Sequence, residues 1–213
     1  MKKIILIGAG GHCVSCIDVI EMQRKFKIVG LIDNKKKNFL LNYKIIGSDK
    51  ELKKFSKRIQ YALITTGHIK NSKIRENLFK KISNYGFKFP AIISPLSYVS
   101  KHASIGEGTI VMHGSVINAG AKIGKNCIIN SKSLIEHDVV IEDYCHISTR
   151  STVNGGVIIK KNSFVGSCSV IKQNLKIGKN FGIWKNYLYN GKKSEQKLRN
   201  IQLFQSSILH PLL

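Results

Sequence analysis

Among the chain's seven histidines, His137 stands out because carboxylates flank it on both sides, in Ile135-Glu136-His137-Asp138. An imidazole titrates near neutrality, so it can take a proton from an attacking amine or hydroxyl, and an adjacent carboxylate can fix its tautomer. The triplet is therefore a candidate general base with an orienting acid. A second group is Gly8-Ala9-Gly10-Gly11-His12, whose backbone can turn tightly and bring N–H groups to a phosphate at the start of a helix. The same stretch is compatible with a purely structural turn. In the dinucleotide fingerprint Gly-x-Gly-x-x-Gly the last position is glycine, and here it is Cys13. Cys13 and Cys16 form Cys-x-x-Cys, but no second cysteine or histidine pair accompanies them to complete a tetrahedral zinc site. They are read as small packing residues on a helix, and no metal is expected.

A repeat sets the surroundings of His137. Every sixth residue from Val99 to Ile183 is Ile or Val, and four residues after most of these stands a small side chain, such as Ala103, Ser115, Cys127 or Cys145. A helix repeats every 3.6 residues and a strand every 2, so an unbroken period of six predicts a prismatic solenoid of short strands from 99 to about 184. The branched residue fills the interior and the small one lets the corner close. His137, two residues after the interior Ile135, is expected to project near a corner.

The first half reads as alternating strands and helices. A buried strand is predicted over 4–7, a loop over the glycines, an amphipathic helix over 14–22 and a second strand over 27–32 that ends at Asp33. That is the opening of a parallel α/β unit. Further strands are expected over 44–46 and 61–66, a short helix over 49–56 and a longer one over 72–84, with Pro90 and Pro95 punctuating the passage to the solenoid. The expected organisation is a Rossmann-like domain over 1–94, a solenoid over 95–190 and a tail over 191–213, in which 196–204 is compatible with an amphipathic helix.

The period-six pattern resembles the left-handed parallel β-helix of hexapeptide acyltransferases, in which three hexads make one coil of eighteen residues. With Gly8-Ala9-Gly10-Gly11-His12, Leu31-Ile32-Asp33-Asn34, Thr66-Gly67-His68 and Ile135-Glu136-His137-Asp138, the order of the two modules resembles one subfamily. It contains the sialic acid O-acetyltransferases of the NeuD type and the N-acetyltransferases of UDP-4-amino sugars, such as the bacillosamine-pathway enzyme. The resemblance covers about residues 1–184. It implies an α/β N-terminal Rossmann-like domain followed by a left-handed parallel β-helix, acetyl-CoA as co-substrate, and a homotrimer with sites between subunits. It places the catalytic histidine at His137, beside Glu136, with Asp138 where the family usually has the longer Glu. His146 is implied to help hold the acetyl-CoA thioester carbonyl, an exposed polar corner being the alternative. Gly155 and Gly156, one coil above His137, are implied to leave room for the pantetheine arm, and Ser167 is expected to bind acetyl-CoA with them. Gly10, Gly11, His12, Asp33, Asn34 and Gly67 are implied to face a nucleotide-sugar acceptor.

Eighteen-residue coils also stack Cys127 on Cys145 as packing residues. They put His137 and His146 half a coil apart, so that only a neighbouring subunit can bring the two face to face. Along the axis His137 lies roughly two coils, or ~10 Å, from the domain junction, so an acceptor anchored at Gly10 to His12 is expected to reach it in a cleft between domain and prism. The chain departs from the family after Ile177: Gly182-Ile183-Trp184-Lys185-Asn186-Tyr187 stands where relatives carry a Gly-x-Pro-Ala turn near the adenine end of CoA.

Composition narrows the functions further. The formal charge of +23 invites a nucleic-acid reading, but the lysines are scattered, as in Lys53-Lys54 and Lys160-Lys161, with neither a basic arm nor interleaved aromatics. No nucleic-acid partner is expected, and the charge instead concentrates small anions such as CoA and nucleotide sugars. The apolar run after Lys2-Lys3 is far too short for a membrane span or a signal peptide, so a cytoplasmic protein with free thiols is expected. Three functions remain: N-acetylation of a UDP-linked amino sugar for a surface glycan, O-acetylation of a sialic acid or related nonulosonate, or a non-catalytic trimeric sugar-binding scaffold.

Overall fold

The structure, a computed structural model, describes residues 1–34, 38–69, 72–184, 187–190 and 196–197. Its N-terminal part comprises β1 (Lys2–Ile7), α1 (Gly11–Gln23), β2 (Phe26–Ile32), β3 (Phe39–Leu40), β4 (Tyr43–Gly47), α2 (Leu52–Ser56), β5 (Tyr61–Ile64) and α3 (Lys73–Ser83). The sheet runs β3-β4-β2-β1-β5, parallel except for the β3–β4 hairpin. Ile4 to Ile7 are at most 1% exposed, as an interior strand of a parallel sheet covered on both faces must be. Strand order reverses between β1 and β5, and this opens a crevice at their carboxyl ends.

Helix α1 starts at Gly11, three residues before the expected position, because the turn needs only Gly8 to Gly10. Gly8 has φ +106 and a Cβ there would run into Thr66, so glycine is required. The Asp33 carboxylate closes the turn by accepting the Ala9 N–H at 2.6 Å.

The solenoid is a stack of two-residue strands from Ile92–Ile93 to Gly182–Ile183, each paired in parallel with the strand eighteen residues on, as in Ile117↔Ile135↔Val153. It begins one hexad before Val99, since Ile93 is already in phase and Pro95 does not interrupt it. The interior column Val111, Ile117, Ile129, Ile135, Ile147 and Val153 is fully buried. Every sixth residue from Gly108 to Asn180 has positive φ, between +53 and +76, including Asn126, Asp138 and Asn174. Most of these corners are Gly, Asn or Asp, the residues that tolerate the left-handed region best, and Lys132, Tyr144, Arg150 and Cys168 fill the rest.

The small position does more than close corners. Thr109, Ser115, Ser163 and Ser169 donate their hydroxyls to the carbonyls of Gly124, Asn130, Gly178 and Trp184, each fifteen residues on, at 2.7–2.9 Å. Cys127 and Cys145 occupy the same position as free, buried thiols that donate to Glu142 and Lys160 carbonyls at 3.2 Å. The Cys127 contact first, and burial next, push the Cys145 thiol well above its ordinary value, consistent with a packing role.

At the upper end Tyr187–Tyr189 adds to one sheet, and Gln196–Lys197 pairs antiparallel with it. Those two residues are strand, not the start of a helix, because the edge of the last coil offers them backbone partners; the rest of the expected tail helix lies outside the described residues. Among the described residues no helix is long and apolar enough to cross a membrane.

One prism face docks the N-terminal domain. Its outward residues Ile92, Ile110, Met112 and Ile128 form a common core with Cys13, Cys16, Ile17 and Ile20 of α1, and both cysteines are fully buried and free, as packing residues should be. A polar strap runs alongside, with Ser94 Oγ 2.6 Å from His113 Nδ1 and His113 Nε2 2.8 Å from Asp18 Oδ2. Ser94 is only 2% exposed, so this Ser-His-Asp chain ties α1 to the prism and offers no nucleophile to solvent.

Candidate active site

The crevice between β1 and β5 opens against the docked prism face and forms a pocket of about 690 Å³. The N-terminus of α1 contributes Gly11, His12 and Ser15, and the loop after β5 contributes Gly67, His68 and Ile69. The prism contributes Asn130, Ser131, His146 and Thr149. Gly11 has open space where a Cβ would stand, and a Cβ on Gly67 would lie 3.3 Å from the Cβ of His12, closer than side chains ordinarily pack. Both glycines therefore serve the pocket. Gly10 caps α1, Asp33 accepts the Ala9 N–H, and Asn34 pairs with Asp49 through its amide at 3.0 Å; none of the three lines the pocket.

Three histidines wall this pocket. Burial first, and the charge of Arg75 next, push His12 and His68 down to about 3. Burial also holds His146 down to about 4, against the opposing effect of its hydrogen bond to His68. All three rings are neutral at pH 7. His146 Nδ1–H donates to the His68 carbonyl at 2.6 Å, which leaves Nε2 as an acceptor, 3.3 Å from the Asn130 amide. In this tautomer no His146 N–H is left for a thioester carbonyl, so the role implied by resemblance would require Nδ1–H to leave His68.

These histidines make the fold sensitive to acid. Each binds its proton more readily unfolded, with a pKa near 6.5, than folded. Their contribution is complete above about pH 6.5 and is lost as pH falls toward 4, at up to about 1.4 kcal/mol per pH unit for each ring. Urea unfolding at pH 7.5, 6 and 5 should show this slope, and His68→Gln, which cannot titrate, should flatten it; an unchanged slope would exclude His68 as a contributor.

His137 occupies a different edge. It follows the strand Leu134–Ile135, which stacks on Thr152–Val153, and turns toward Val140–Ile141, which stacks on Ile158–Ile159, whereas the pocket lies on the remaining face, over Ile128 and His146. An acceptor cleft beside the chain's own His137, expected from axial distance, is therefore not formed, because half a coil of rotation separates the two. His137 Nδ1–H donates to Asp138 Oδ2 at 2.9 Å, both side chains being about 70% exposed. The bond leaves the Nε2 lone pair available. Asp138 holds a left-handed corner, φ +58, and points its carboxylate back along the ring. Glu136 is not part of the pair, since it accepts the Asn118 amide at 2.9 Å.

Gly155 proves to matter for the imidazole itself. A Cβ there would lie 2.6 Å from His137 Nε2 and 2.7 Å from Cε1, so the ring rests in space that only glycine leaves. Gly120, one coil below Asp138, similarly clears its Oδ1. Gly156 is a left-handed corner, φ +68, and Ser167 pairs with the Ser148 hydroxyl at 2.9 Å. Gly155 is not in the left-handed region, so alanine is tolerated by the backbone. Gly155→Ala should leave the thermal transition nearly unchanged yet cost roughly 10²-fold in turnover, the effect of moving a catalytic group by about 1 Å. Unaltered turnover would show that the ring's position over Gly155 is immaterial.

Sequence reading missed His68, Asn130, Ser131 and Thr149 as pocket residues. The signal was the outward column with period eighteen, Ile110, Ile128, His146, Phe164: two apolar residues under the docked domain, then a histidine where it ends. Among the described residues, no group of three His, Cys, Asp or Glu is placed to hold a metal.

Comparison with known proteins agrees with this architecture. Residues 3–82 match the PglD N-terminal domain, and residues 102–137 and 138–173 match the bacterial transferase hexapeptide (six repeats). The UDP-N-acetylbacillosamine N-acetyltransferase of Bacillus subtilis (strain 168) is 34% identical over 113 residues, 53% of this chain and 52% of that protein. The match thus spans about half the length of that relative. The acetyltransferase domain of PglB from Neisseria gonorrhoeae FA1090, in complex with acetyl coenzyme A, superposes with TM-score 0.79 at 24% identity, over 87% of this chain and 94% of that one. PerB from Caulobacter crescentus, in complex with CoA and GDP-perosamine, gives TM-score 0.70 at 23% identity over 84% and 92%. The fold is the expected α/β domain followed by a left-handed parallel β-helix.

Proposed function

We propose, because the chain belongs to the hexapeptide-repeat acetyltransferases of the NeuD and bacillosamine type, that it transfers acetyl from acetyl-CoA to the amino group of a nucleotide-linked amino sugar, and that the nucleotide is UDP. The observation that carries this reading is the His137–Asp138 pair, mostly exposed at a prism corner and lying over Gly155, with Nδ1 committed to the carboxylate. The amine lone pair attacks the thioester carbonyl as Nε2 takes the amine proton. Collapse of the tetrahedral adduct expels the thiolate, which leaves as the thiol with that proton.

The glycine turn, the α1 N-terminus and the histidine-walled pocket supply the acceptor site, with backbone N–H groups for a diphosphate. Since a chain's own pocket and His137 lie on different edges, the working site pairs the pocket of one subunit with His137 of the next in a homotrimer. An amine is favoured over a hydroxyl because the Bacillus relative is named for N-acetylation of a UDP sugar. Thiol release from acetyl-CoA, measured with UDP-amino sugars, GDP-amino sugars and sialic acids, is expected only with the amino sugars and fastest with UDP. Release with sialic acids alone would replace this reading by O-acetylation, and release with none would favour a sugar-binding scaffold.

A further inference from the structure

Arg75 of α3 is fully buried, and it is the only Asp, Glu, Lys or Arg among the described residues that is. Its Nη1 donates to the backbone carbonyls of Ile64 at 2.8 Å and Thr66 at 2.7 Å, at the end of β5 and the start of the pocket loop. Nη2 donates to the Asn126 side chain at 2.6 Å and to the Asn126 carbonyl at 3.3 Å, at a prism corner. One guanidinium thus joins the loop that carries Gly67 and His68 to the coil next to that of His146. No carboxylate is among its hydrogen-bond partners, and Nε has none. Burial lowers it only to about 10, so it stays charged at neutral pH. The charge reaches the pocket, where it helps to keep His12, His68 and His146 neutral. Burying an unneutralised cation is costly, and an apolar side chain would fill the same space without that cost.

We propose that Arg75 is a positioning residue for the acceptor: it fixes the pocket loop to the prism, and its unneutralised charge behind the loop attracts the diphosphate of the nucleotide sugar to the open Gly11 end of α1. This rests on the reading of the pocket as a nucleotide-sugar site. Anion binding then supplies the countercharge that the protein itself withholds. Three neutral histidines make this arrangement possible, because they add hydrogen-bonding capacity, as at the unpartnered His12 Nε2, without competing for the anion as fixed charges.

The test is calorimetric titration of the full chain with UDP and with inorganic pyrophosphate, at low and high salt, for wild type, Arg75→Lys and Arg75→Met. Arg75→Met should weaken both ligands at least about tenfold and flatten the salt dependence, while acetyl-CoA affinity stays within about twofold. Arg75→Lys keeps the charge but cannot span both anchors; it should recover most of the affinity at low salt and still raise the acceptor KM. If Arg75→Met does not fold, the lysine variant decides: retained pyrophosphate affinity supports the charge, and its loss overturns it. Wild-type binding with both variants unaffected, even if less heat-stable, would reduce Arg75 to a structural staple. A wild type that binds neither ligand would overturn the nucleotide-sugar reading together with this inference.

Discussion

His137→Ala is expected to lower turnover by roughly 10²–10⁴-fold, the usual worth of a general base, while the KM for acetyl-CoA stays nearly constant. The geometry isolates this effect from folding. The side chain is mostly exposed, makes its hydrogen bond only to its neighbour Asp138, and rests on a glycine, so its removal opens no core cavity. Asp138→Asn sharpens the reading. Asparagine suits the left-handed corner that Asp138 occupies, so the turn persists while the carboxylate is lost. An exposed pair of this kind is worth up to about 1 kcal/mol, so the asparagine variant should lose only about fivefold. Steady-state rates at saturating acetyl-CoA decide the matter. Near-wild-type turnover of His137→Ala would remove it from the mechanism.

Co-expression of His137→Ala with Gly11→Val should restore about a quarter of wild-type activity when assayed at acceptor concentrations well below the raised KM of Gly11→Val, where each variant alone is nearly inactive. A valine at Gly11 projects into the space that the pocket leaves open, so it blocks the acceptor without disturbing the packed side of α1. In mixed trimers, a site that takes its pocket from a His137→Ala subunit and its imidazole from a Gly11→Val subunit is intact. Random assortment makes about one site in four of this kind. The result separates two arrangements that single substitutions cannot. If pocket and base came from one chain, no combination would restore activity, and a mixture as inactive as its components would refute the shared site. Gly11→Val alone should raise the acceptor KM with little effect on CoA affinity.

The solenoid and the His137–Asp138 pair at its corner were legible in the linear sequence for one physical reason. Each coil of a β-helix contacts only the coils above and below, so its packing rule is local and repeats as a period that can be counted. Interior Ile and Val, stacked Cys127 and Cys145, and His137 beside Asp138 at a corner all follow from position within the hexad. The strand-loop-helix opening of the first domain was legible because Gly8 and the buried Ile4–Ile7 run constrain their own neighbourhood.

What the tertiary structure decided is everything that depends on rotation about the prism axis or on docking between the two parts. Axial distance alone suggested that the chain's own His137 would meet its acceptor loop, but the docked face carries His146 and puts His137 on another edge. Glu136, adjacent to His137 in sequence, accepts the Asn118 amide because it directly follows the strand Leu134–Ile135, whereas His137 already belongs to the turn. Gly155 makes room for the imidazole, a contact eighteen residues long in sequence and one coil high in space. Arg75 and Asn126 carry no local motif, and the Thr66-Gly67-His68 marker does not say what His68 meets; their partners lie up to 78 residues away in the chain, and only the packing of α3 and its loop against the prism brings them together.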